Sequence, residues 1–415
     1  MSKNLILFRN GNLLDPLASD LQGTHDVLVE GGVIREISST PIKVTGAQEI
    51  DVKGKTIMPG LIDLHVHVLA TQLNLSTQGV LPDALVMMRS VPIIQAMLQR
   101  GFTTVRDAGG AGWGLKCAIN EGTINGPRLF ISGRAISQTG GHGDPRPRSD
   151  HLRPMSFCGC CFRAGDIGRV ADGVDEVRKA VRQELQMGAD QIKIMASGGV
   201  ASPTDPIASW GYSEEEITAM VQEATARQTY VMAHSYTAEA IARAIKLGVR
   251  TIEHGNLIDA PTARLMHEHG AFVIPTLITY EALSLEGEKY GLPADSIAKI
   301  ADVSSAGLSS LEIYRQAGVK IGYGSDLLGP SQRLQSEEFR IRSEVMPLPE
   351  VIRSATTTAA EVLNMQGKLG RLEVGAFADV LIVEGNPMRD VNCLLGQGDH
   401  IPLVMKEGQI FVNRL

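Results

Sequence analysis

Eight short apolar runs in the middle of the chain have the composition of β-strands, and helical patterns lie between most of them. In chain order the runs are GLIDLHVHVL, FTTVRDAG, RLFISGR, QIKIMASGG, YVMAHS, TIEHGN, FVIPTL and VKIGYGSD. The helical patterns include GVDEVRKAVRQELQMGA, YSEEEITAMVQEATARQ, TAEAIARAIKLG and APTARLMHEHG. A doubly wound sheet usually has about five or six strands. Eight strands over roughly 300 residues therefore predict an α/β fold built on a (β/α)8 TIM-like barrel.

Both ends of the chain lack this alternation and consist of short strand-like runs separated by turns. Each end contains two apolar runs around a Glu-Gly turn, VLVEGGVIREI near the start and LVMKEGQIFV near the end, a pattern typical of β-hairpins. We predict that the two ends pair into one small β-sandwich domain, since chain ends often lie close together. The predicted boundaries are 1–57 and 360–415 for this domain and 58–359 for the barrel.

The charge of the chain restricts its partners. Its 39 basic and 46 acidic residues give a formal net charge of −7, and no basic run is present. This composition argues against a nucleic-acid partner. The first apolar stretch, residues 5–8, is too short for the core of a signal peptide or for a membrane span. We therefore expect a cytoplasmic protein without a membrane partner.

The five cysteines are an odd number, so they do not imply a complete disulfide framework. Cys158, Cys160 and Cys161 cluster in the segment FCGCCF. A structural zinc site usually has four ligands at more regular spacing. Free thiols or a local constraint on this loop are therefore favoured over a zinc site.

Metal-compatible or ionisable residues lie at or near the same end of five of the eight predicted strands. These residues are His65, His67, Lys193, His234, His254 and Asp326. Side chains two positions apart on a strand share a face, so the first two histidines can bind one metal ion. Each residue has an ordinary explanation when taken alone, such as a core histidine, an aspartate at a turn or a solvent-facing lysine. Their combination, at the strand ends where a barrel carries its active site, favours a shared metal site.

The motifs PGLIDLHVHV, QIKIMASGG, VMAHSYT, RTIEHGN and GSD resemble the amidohydrolase superfamily. The resemblance covers almost the whole chain, including GRLEVGAFADVLIVEGNP near the end. The segments GGAGWGLKCAINEG, ASGGVASPTDP and LLGQGDHIPLVMK are most similar to the prolidase-like branch, whose members are metal-dependent dipeptidases. Enzymes that release phenylalanine from the mycotoxin ochratoxin A belong to the same neighbourhood.

The resemblance implies two divalent cations per subunit, with Zn²⁺ the expected ion and manganese or cobalt as alternatives. It assigns His65, His67 and Asp326 to the more buried ion, and His234 and His254 to the more exposed one. Lys193 would react with carbon dioxide, and the resulting carbamate would bridge the two ions together with a hydroxide. The apolar neighbours of this lysine favour the reaction, because burial lowers the lysine pKa and the neutral amine attacks carbon dioxide.

The activity that the resemblance implies is hydrolysis of an amide by the bridging hydroxide, with Asp326 as general base and then general acid. His142 and Tyr236 match family positions that contact the substrate carbonyl, the tetrahedral centre or the α-carboxylate. A loop residue and a packed aromatic residue are the ordinary alternatives for these two. Arg146 and Arg148 could pair with a carboxylate, but the neighbouring prolines are equally compatible with a solvated loop.

The expected substrates are amides whose nitrogen belongs to a C-terminal amino acid, Xaa-Pro dipeptides first and N-aroyl phenylalanine amides such as ochratoxin A second. A cyclic-amide hydrolase remains an alternative, whereas Lys193 argues against a deaminase, because deaminases of this fold generally lack the lysine. A non-enzymatic scaffold on the same barrel is a further alternative, although such relatives have typically lost metal ligands. Relatives commonly form octamers, so we expect a homo-oligomer.

Overall fold

The computed structural model describes residues 5–79, 81–144, 146, 164, 166–200, 202, 205–292 and 294–415. The predicted cysteine cluster, Cys158, Cys160 and Cys161, lies outside these residues, as does Arg148. Within the described ranges, every helix is too short or too polar to cross a bilayer.

The strands of the described residues pair into three hydrogen-bonded sheets. In chain order they are β1 (Leu5–Leu13), β2 (Thr24–Glu30), β3 (Val33–Ser38), β4 (Gln48–Asp51), β5 (Thr56–Pro59), β6 (Leu61–Val66), β7 (Phe102–Asp107), β8 (Arg128–Ile131), β9 (Ala135–Ser137), β10 (Gly168–Val170), β11 (Ile192–Met195), β12 (Val231–Thr237), β13 (Thr251–Leu257), β14 (Phe272–Ile274), β15 (Lys320–Ile321), β16 (Val380–Val383), β17 (Leu403–Lys406) and β18 (Gln409–Asn413).

Strands from both ends of the chain form one eight-stranded sheet, in the order β18-β17-β16-β5-β1-β2-β3 with β4 beside β1. β16 pairs antiparallel with β5, which joins the two ends. Both predicted hairpins, β2–β3 and β17–β18, are confirmed. Their turns touch: a Cβ atom added to Gly408 would lie 2.9 Å from the Gly32 Cα atom, and both glycines have positive φ. Strands from the two ends of the chain are therefore hydrogen-bonded in one sheet.

The eight predicted central strands are all present, as β6 to β8 and β11 to β15. β6, β7 and β8 form a three-stranded parallel sheet, and β9 to β15 form a seven-stranded one in the order β10-β9-β11-β12-β13-β14-β15. All four residues of β11 are buried, as is typical of parallel strands covered on both faces. Between β6 and the segment after β15, Leu64 N donates to Tyr323 O at 2.8 Å, and Asp326 N donates to His65 O at 2.8 Å.

The helices of the described residues lie mainly between the central strands. In chain order they are α1 (Leu75–Gln78), α2 (Asp83–Gln99), α3 (Trp113–Asn120), α4 (Gly173–Gln186), α5 (Glu214–Ala226), α6 (Ala238–Lys246), α7 (Ala260–Glu268), α8 (Leu277–Glu286), α9 (Ala294–Ser304), α10 (Gly307–Ala317), α11 (Glu337–Ser343), α12 (Leu348–Ser354) and α13 (Thr357–Val362). α5 starts at a capping box, in which Ser213 and Glu216 each bond the other's backbone N–H. The result is a mixed α/β architecture.

A fully buried ion pair connects α11 to the start of α8. Arg342 Nε lies 2.7 Å from Glu338 Oε1, and neither side chain is accessible to solvent. Glu338 also accepts a hydrogen bond from Ile278 N at 2.7 Å, and Arg342 Nη2 donates to Pro275 O at 2.7 Å. Burial raises the pKa of Glu338 to about 7, although Arg342 opposes that shift. The arginine is thus the partner that compensates a buried carboxylate.

Replacing Arg342 by methionine is expected to lower the free energy of unfolding by about 3–5 kcal/mol, because the carboxylate of Glu338 would stay buried without its partner. Arg340→Met is the control, since Arg340 is on the same helix and pairs with Glu281 at the surface. Its loss should cost less than about 1 kcal/mol. Urea unfolding followed by circular dichroism measures both values, and equal losses in the two variants would contradict the buried-pair interpretation.

Candidate active site

The six residues predicted as metal ligands lie at one side of the central strands. β6 carries His65 and is followed by His67, β11 carries Lys193, β12 carries His234, β13 carries His254, and Asp326 follows β15. Because the carboxyl ends of parallel strands meet at one edge, these side chains can approach one another although they are far apart in sequence.

The Asp326 carboxylate is the point at which these side chains meet. Its Oδ1 atom lies 3.3 Å from His65 Nε2 and 3.2 Å from His67 Nε2. Its Oδ2 atom lies 3.9 Å from His254 Nδ1. The Asp326 side chain is 20% exposed, whereas that of His65 is 1% exposed. Solvent therefore reaches this buried cluster at the carboxylate.

The backbone around the cluster is held in conformations that non-glycine residues rarely adopt. His254 and Asp326 have φ angles of 73° and 51°. Such left-handed conformations cost of order 1–3 kcal/mol and occur preferentially at functional sites. Gly324, two residues before the aspartate, packs so closely that an added Cβ atom would lie 2.9 Å from His65 Cβ. The glycine of the GSD motif thus permits the close approach of Asp326 to β6.

Hydrogen bonds orient His65 and His67. His67 Nδ1 donates to Gly109 O at 2.9 Å, and His65 Nδ1 donates to Glu253 Oε2 at 2.7 Å. Arg106 Nη2 in turn lies 2.9 Å from Glu253 Oε1. Burial tends to raise the pKa of Glu253, but Arg106 and the hydrogen bond from His65 lower it to about 2. The ionised carboxylate fixes the His65 tautomer, which leaves Nε2 available as a ligand.

His234 is oriented by the loop that follows β11. Its Nε2 atom donates to Gly198 O at 3.1 Å, which leaves Nδ1 available to a cation. Its ring centroid is 4.6 Å from that of His254 and 4.2 Å from that of His142. Burial lowers the pKa of His234 and of His254 well below the ordinary value. Both imidazoles are therefore neutral, as metal ligands must be.

Lys193 is 2% exposed and lies between the buried side chains Ile192 and Ile194. Burial lowers its pKa to about 8, while Glu253 and Asp326 act in the opposite direction. Among the described residues, no hydrogen bond or ion pair is formed by its Nζ atom. A lysine with this pKa has an appreciable neutral fraction near pH 7, which agrees with the prediction made from its apolar surroundings.

The two predicted substrate contacts lie beside the cluster. The Tyr236 ring stacks on that of His254, with centroids 5.3 Å apart and an interplanar angle of 22°. His142 Nδ1 lies 2.9 Å from Ser202 Oγ, and its ring faces His234. Arg146 is instead directed at a neighbour on its own loop, with Nη2 2.6 Å from an Asp144 oxygen. The sequence therefore located residues that the fold brings together from four different strands and the loops that follow strands.

Four residues that surround the cluster were not identified from the sequence: Arg106, Glu253, Thr276 and Tyr280. The first two are charged residues inside apolar strands, which is a detectable signal because buried charges need partners. Thr276 and Tyr280 lie in an apolar segment at the start of α8, and nothing in their sequence context distinguishes them from packing residues.

The donor set fits a divalent cation. His65, His254 and Asp326 each offer one ligand atom, and these atoms lie within 4.8 Å of one another. Imidazole nitrogen and carboxylate oxygen are ligands of zinc and of other divalent ions. Their partners outside the cluster orient them as they do in known metal sites.

Comparison with known proteins agrees with this chemistry. Residues 56–411 match the amidohydrolase family. The ochratoxinase of Aspergillus niger is 34% identical over 366 residues, which cover 86% of this chain and 75% of that protein. A crystal structure of an amidohydrolase is 67% identical with a TM-score of 0.98, over 99% of this chain and 100% of that one. A prolidase in complex with N-methylphosphonate-L-proline is 56% identical with a TM-score of 0.97 over the same shares of the two chains. The chain therefore belongs to the amidohydrolase family and is a metal-dependent hydrolase.

Proposed function

We propose that this hydrolase cleaves the amide bond to the nitrogen of a C-terminal amino acid, with Xaa-Pro dipeptides as its first substrate class. The observation that carries the proposal is the convergence of imidazoles on the Asp326 carboxylate. The 56% identity with a prolidase that binds a phosphonate of proline supports the substrate class. A phosphonate resembles the tetrahedral centre formed during amide hydrolysis, and enzymes bind such analogues more tightly than substrates.

Two divalent cations are proposed for this site, with Zn²⁺ as the expected ion. The proposed ligands are His65, His67 and Asp326 for one cation and His234 and His254 for the other. All four histidines are buried, so their burial does not show which of the two cations would be the more buried one. Bound there, the cations supply Lewis acidity, which polarises the scissile carbonyl and lowers the pKa of water.

Lys193 is proposed to form a carbamate between the two cation positions. Its neutral Nζ attacks carbon dioxide, a proton is released, and the lysine becomes an anion with two carboxylate oxygens. The pKa of about 8 that burial gives this lysine supports the step, because the attacking species is the free amine. A carbamate also replaces a positive charge, which would repel cations, by a negative one.

Asp326 is proposed to move the proton during hydrolysis. Although burial opposes ionisation, the adjacent imidazoles of His65 and His67 hold the pKa of Asp326 well below its ordinary value. The carboxylate can therefore accept a proton from water and then give it to the leaving nitrogen. His142 and Tyr236, which flank the cluster, are proposed to contact the carbonyl oxygen or the carboxylate of the substrate.

We also propose a barrel and a terminal domain for this chain. We propose that the two central sheets together form a (β/α)8 barrel over residues 58–359, with a β-sandwich domain of residues 1–57 and 360–415. The hydrogen bonds between β6 and the segment after β15 support closure. Ile6 and Leu7 of β1 belong to different apolar clusters, which supports a sheet covered on both faces.

Ochratoxin A is the second candidate substrate. The 34% identity with an ochratoxinase favours it, and Tyr236 packs with Leu73, Val200 and Tyr280 in an apolar cluster beside the site. Both reactions break an amide whose nitrogen belongs to a C-terminal amino acid. The scissile amide of ochratoxin A, which has an aromatic acyl group, would therefore lie at the same side chains as the scissile amide of an Xaa-Pro dipeptide.

A substrate panel separates these candidates. The purified protein is expected to hydrolyse Xaa-Pro dipeptides with a higher kcat/KM than N-aroyl phenylalanine amides, ochratoxin A or hydantoins, because the proposed site accepts a carboxylate next to the scissile nitrogen. Xaa-Pro amides, which lack that carboxylate, are the matched control and should be poor substrates. Initial rates are measured by chromatography of the released amino acid. Turnover of hydantoins alone would exclude the dipeptidase assignment.

Metal removal tests the ligand assignment. A chelator should abolish hydrolysis, Zn²⁺ should restore it, and the loaded protein should contain about two metal ions per subunit. His254→Ala is expected to reduce the bound metal to about one ion, because it removes an imidazole of the cluster. The control His267→Ala replaces an exposed histidine of α7 and should leave the metal content unchanged. Elemental analysis gives the result, and full metal content in His254→Ala contradicts the assignment.

The carbamate is tested at Lys193. Lys193→Ala should weaken metal binding and lower hydrolysis by about 100-fold or more, and a short carboxylate such as acetate should restore part of the activity by supplying the missing oxygens. Lys116→Ala, which breaks the accessible pair with Asp190, is the control. A ¹³C carbamate resonance is expected after equilibration with labelled bicarbonate in the control but not in Lys193→Ala. A fully active, metal-loaded Lys193→Ala protein would refute the proposal.

A further inference from the structure

Two buried tyrosine hydroxyls contact each other beside the cluster of proposed metal ligands. Tyr280 Oη, from α8, donates to Tyr236 Oη, from β12, at 3.0 Å. The two residues are only 2% and 3% exposed. Because the Tyr236 ring stacks on His254, this pair of hydroxyls lies directly against a proposed ligand.

Thr276 contacts the same histidine. Its Oγ1 atom lies 2.7 Å from His254 Nδ1, and the residue is fully buried. Burial raises the pKa of Tyr280 well above its ordinary value, so its hydroxyl keeps its proton.

The hydrogen bond between the two tyrosines leaves one hydroxyl proton without an acceptor among the described residues. A threonine or tyrosine hydroxyl has a single proton to donate. The Tyr280 proton goes to Tyr236. The Tyr236 proton is the last in the series, and none of the described residues accepts it. It is therefore free to be donated to a substrate oxygen.

We propose that Tyr280 is a positioning residue that holds the Tyr236 hydroxyl as a hydrogen-bond donor toward the carbonyl oxygen of the substrate amide. This inference rests on the proposed function, in which Tyr236 contacts that carbonyl. A donor that is already oriented stabilises the negative charge developing on the carbonyl oxygen without reorganisation during the reaction. Because the donor would be aimed at the transition state rather than at the ground state, its loss should affect kcat more than KM.

A substitution can remove the Tyr280 hydroxyl and leave the packing of its ring unchanged. Its ring belongs to an apolar cluster with Val200, Leu283 and Leu292. Tyr280→Phe keeps this ring and removes the hydroxyl that donates to Tyr236. Tyr212→Phe is the matched control, since Tyr212 is also buried and donates its hydroxyl to a backbone carbonyl, that of Ala171, at 3.1 Å.

The test is a double-mutant cycle on an amide that the wild-type protein hydrolyses. Tyr236→Phe is expected to lower kcat by about 100-fold, the usual effect of losing one such donor. Tyr280→Phe should lower kcat by roughly 10-fold with KM changed less than about 2-fold, because the donor remains but loses its orientation. The double variant should be no slower than Tyr236→Phe alone.

A binding measurement gives a second readout that does not depend on turnover. Calorimetry should show that Tyr280→Phe weakens binding of a phosphonate analogue of an Xaa-Pro dipeptide by the factor lost in kcat, with metal content and melting temperature equal to those of Tyr212→Phe. Independent losses from Tyr236→Phe and Tyr280→Phe, or a Tyr280→Phe protein as fast as the control, would overturn this inference alone. Absence of wild-type turnover on every C-terminal amino-acid amide would overturn the proposed function, and the inference with it.

Discussion

A partly buried carboxylate needs partners, and Asp326 has them in imidazoles on or next to β6 and β13. This requirement explains several features that look unrelated in the sequence. The glycine of the GSD motif lets the chain approach β6, and left-handed backbone conformations at His254 and Asp326 direct both side chains into the cluster. The parallel arrangement of the central strands is also needed, because it brings the carboxyl ends of the strands to one edge, where their side chains can meet.

Charge balance around the cluster depends on groups that do not belong to it. Glu253 stays ionised beside His65 because Arg106 pairs with it, and both are completely buried. The same burial keeps His234 and His254 neutral and lowers the pKa of Lys193. A cation site of this kind therefore needs a rigid, dry strand environment, which the central sheets provide.

The sequence predicted the eight central strands and the two terminal hairpins because apolar runs and Glu-Gly turns are local signals. It did not predict β9 and β10, which are three residues long and lie in glycine-rich, polar surroundings. It indicated the histidines, Lys193 and Asp326 as candidates because ionisable residues at strand ends are unusual. Pairs such as Arg106 with Glu253, or Tyr236 with Tyr280, depend on distances between strands and helices, and no local pattern encodes those distances.

The eight-stranded terminal sheet has a consequence for the order of folding during synthesis. β1 to β5 emerge from the ribosome first, but β5 pairs along its whole length with β16, which is made more than three hundred residues later. Until then the nascent chain exposes an unpaired strand edge, a hazard for association with other chains. Completion of this sheet must therefore be a late event, which follows synthesis of β16, β17 and β18.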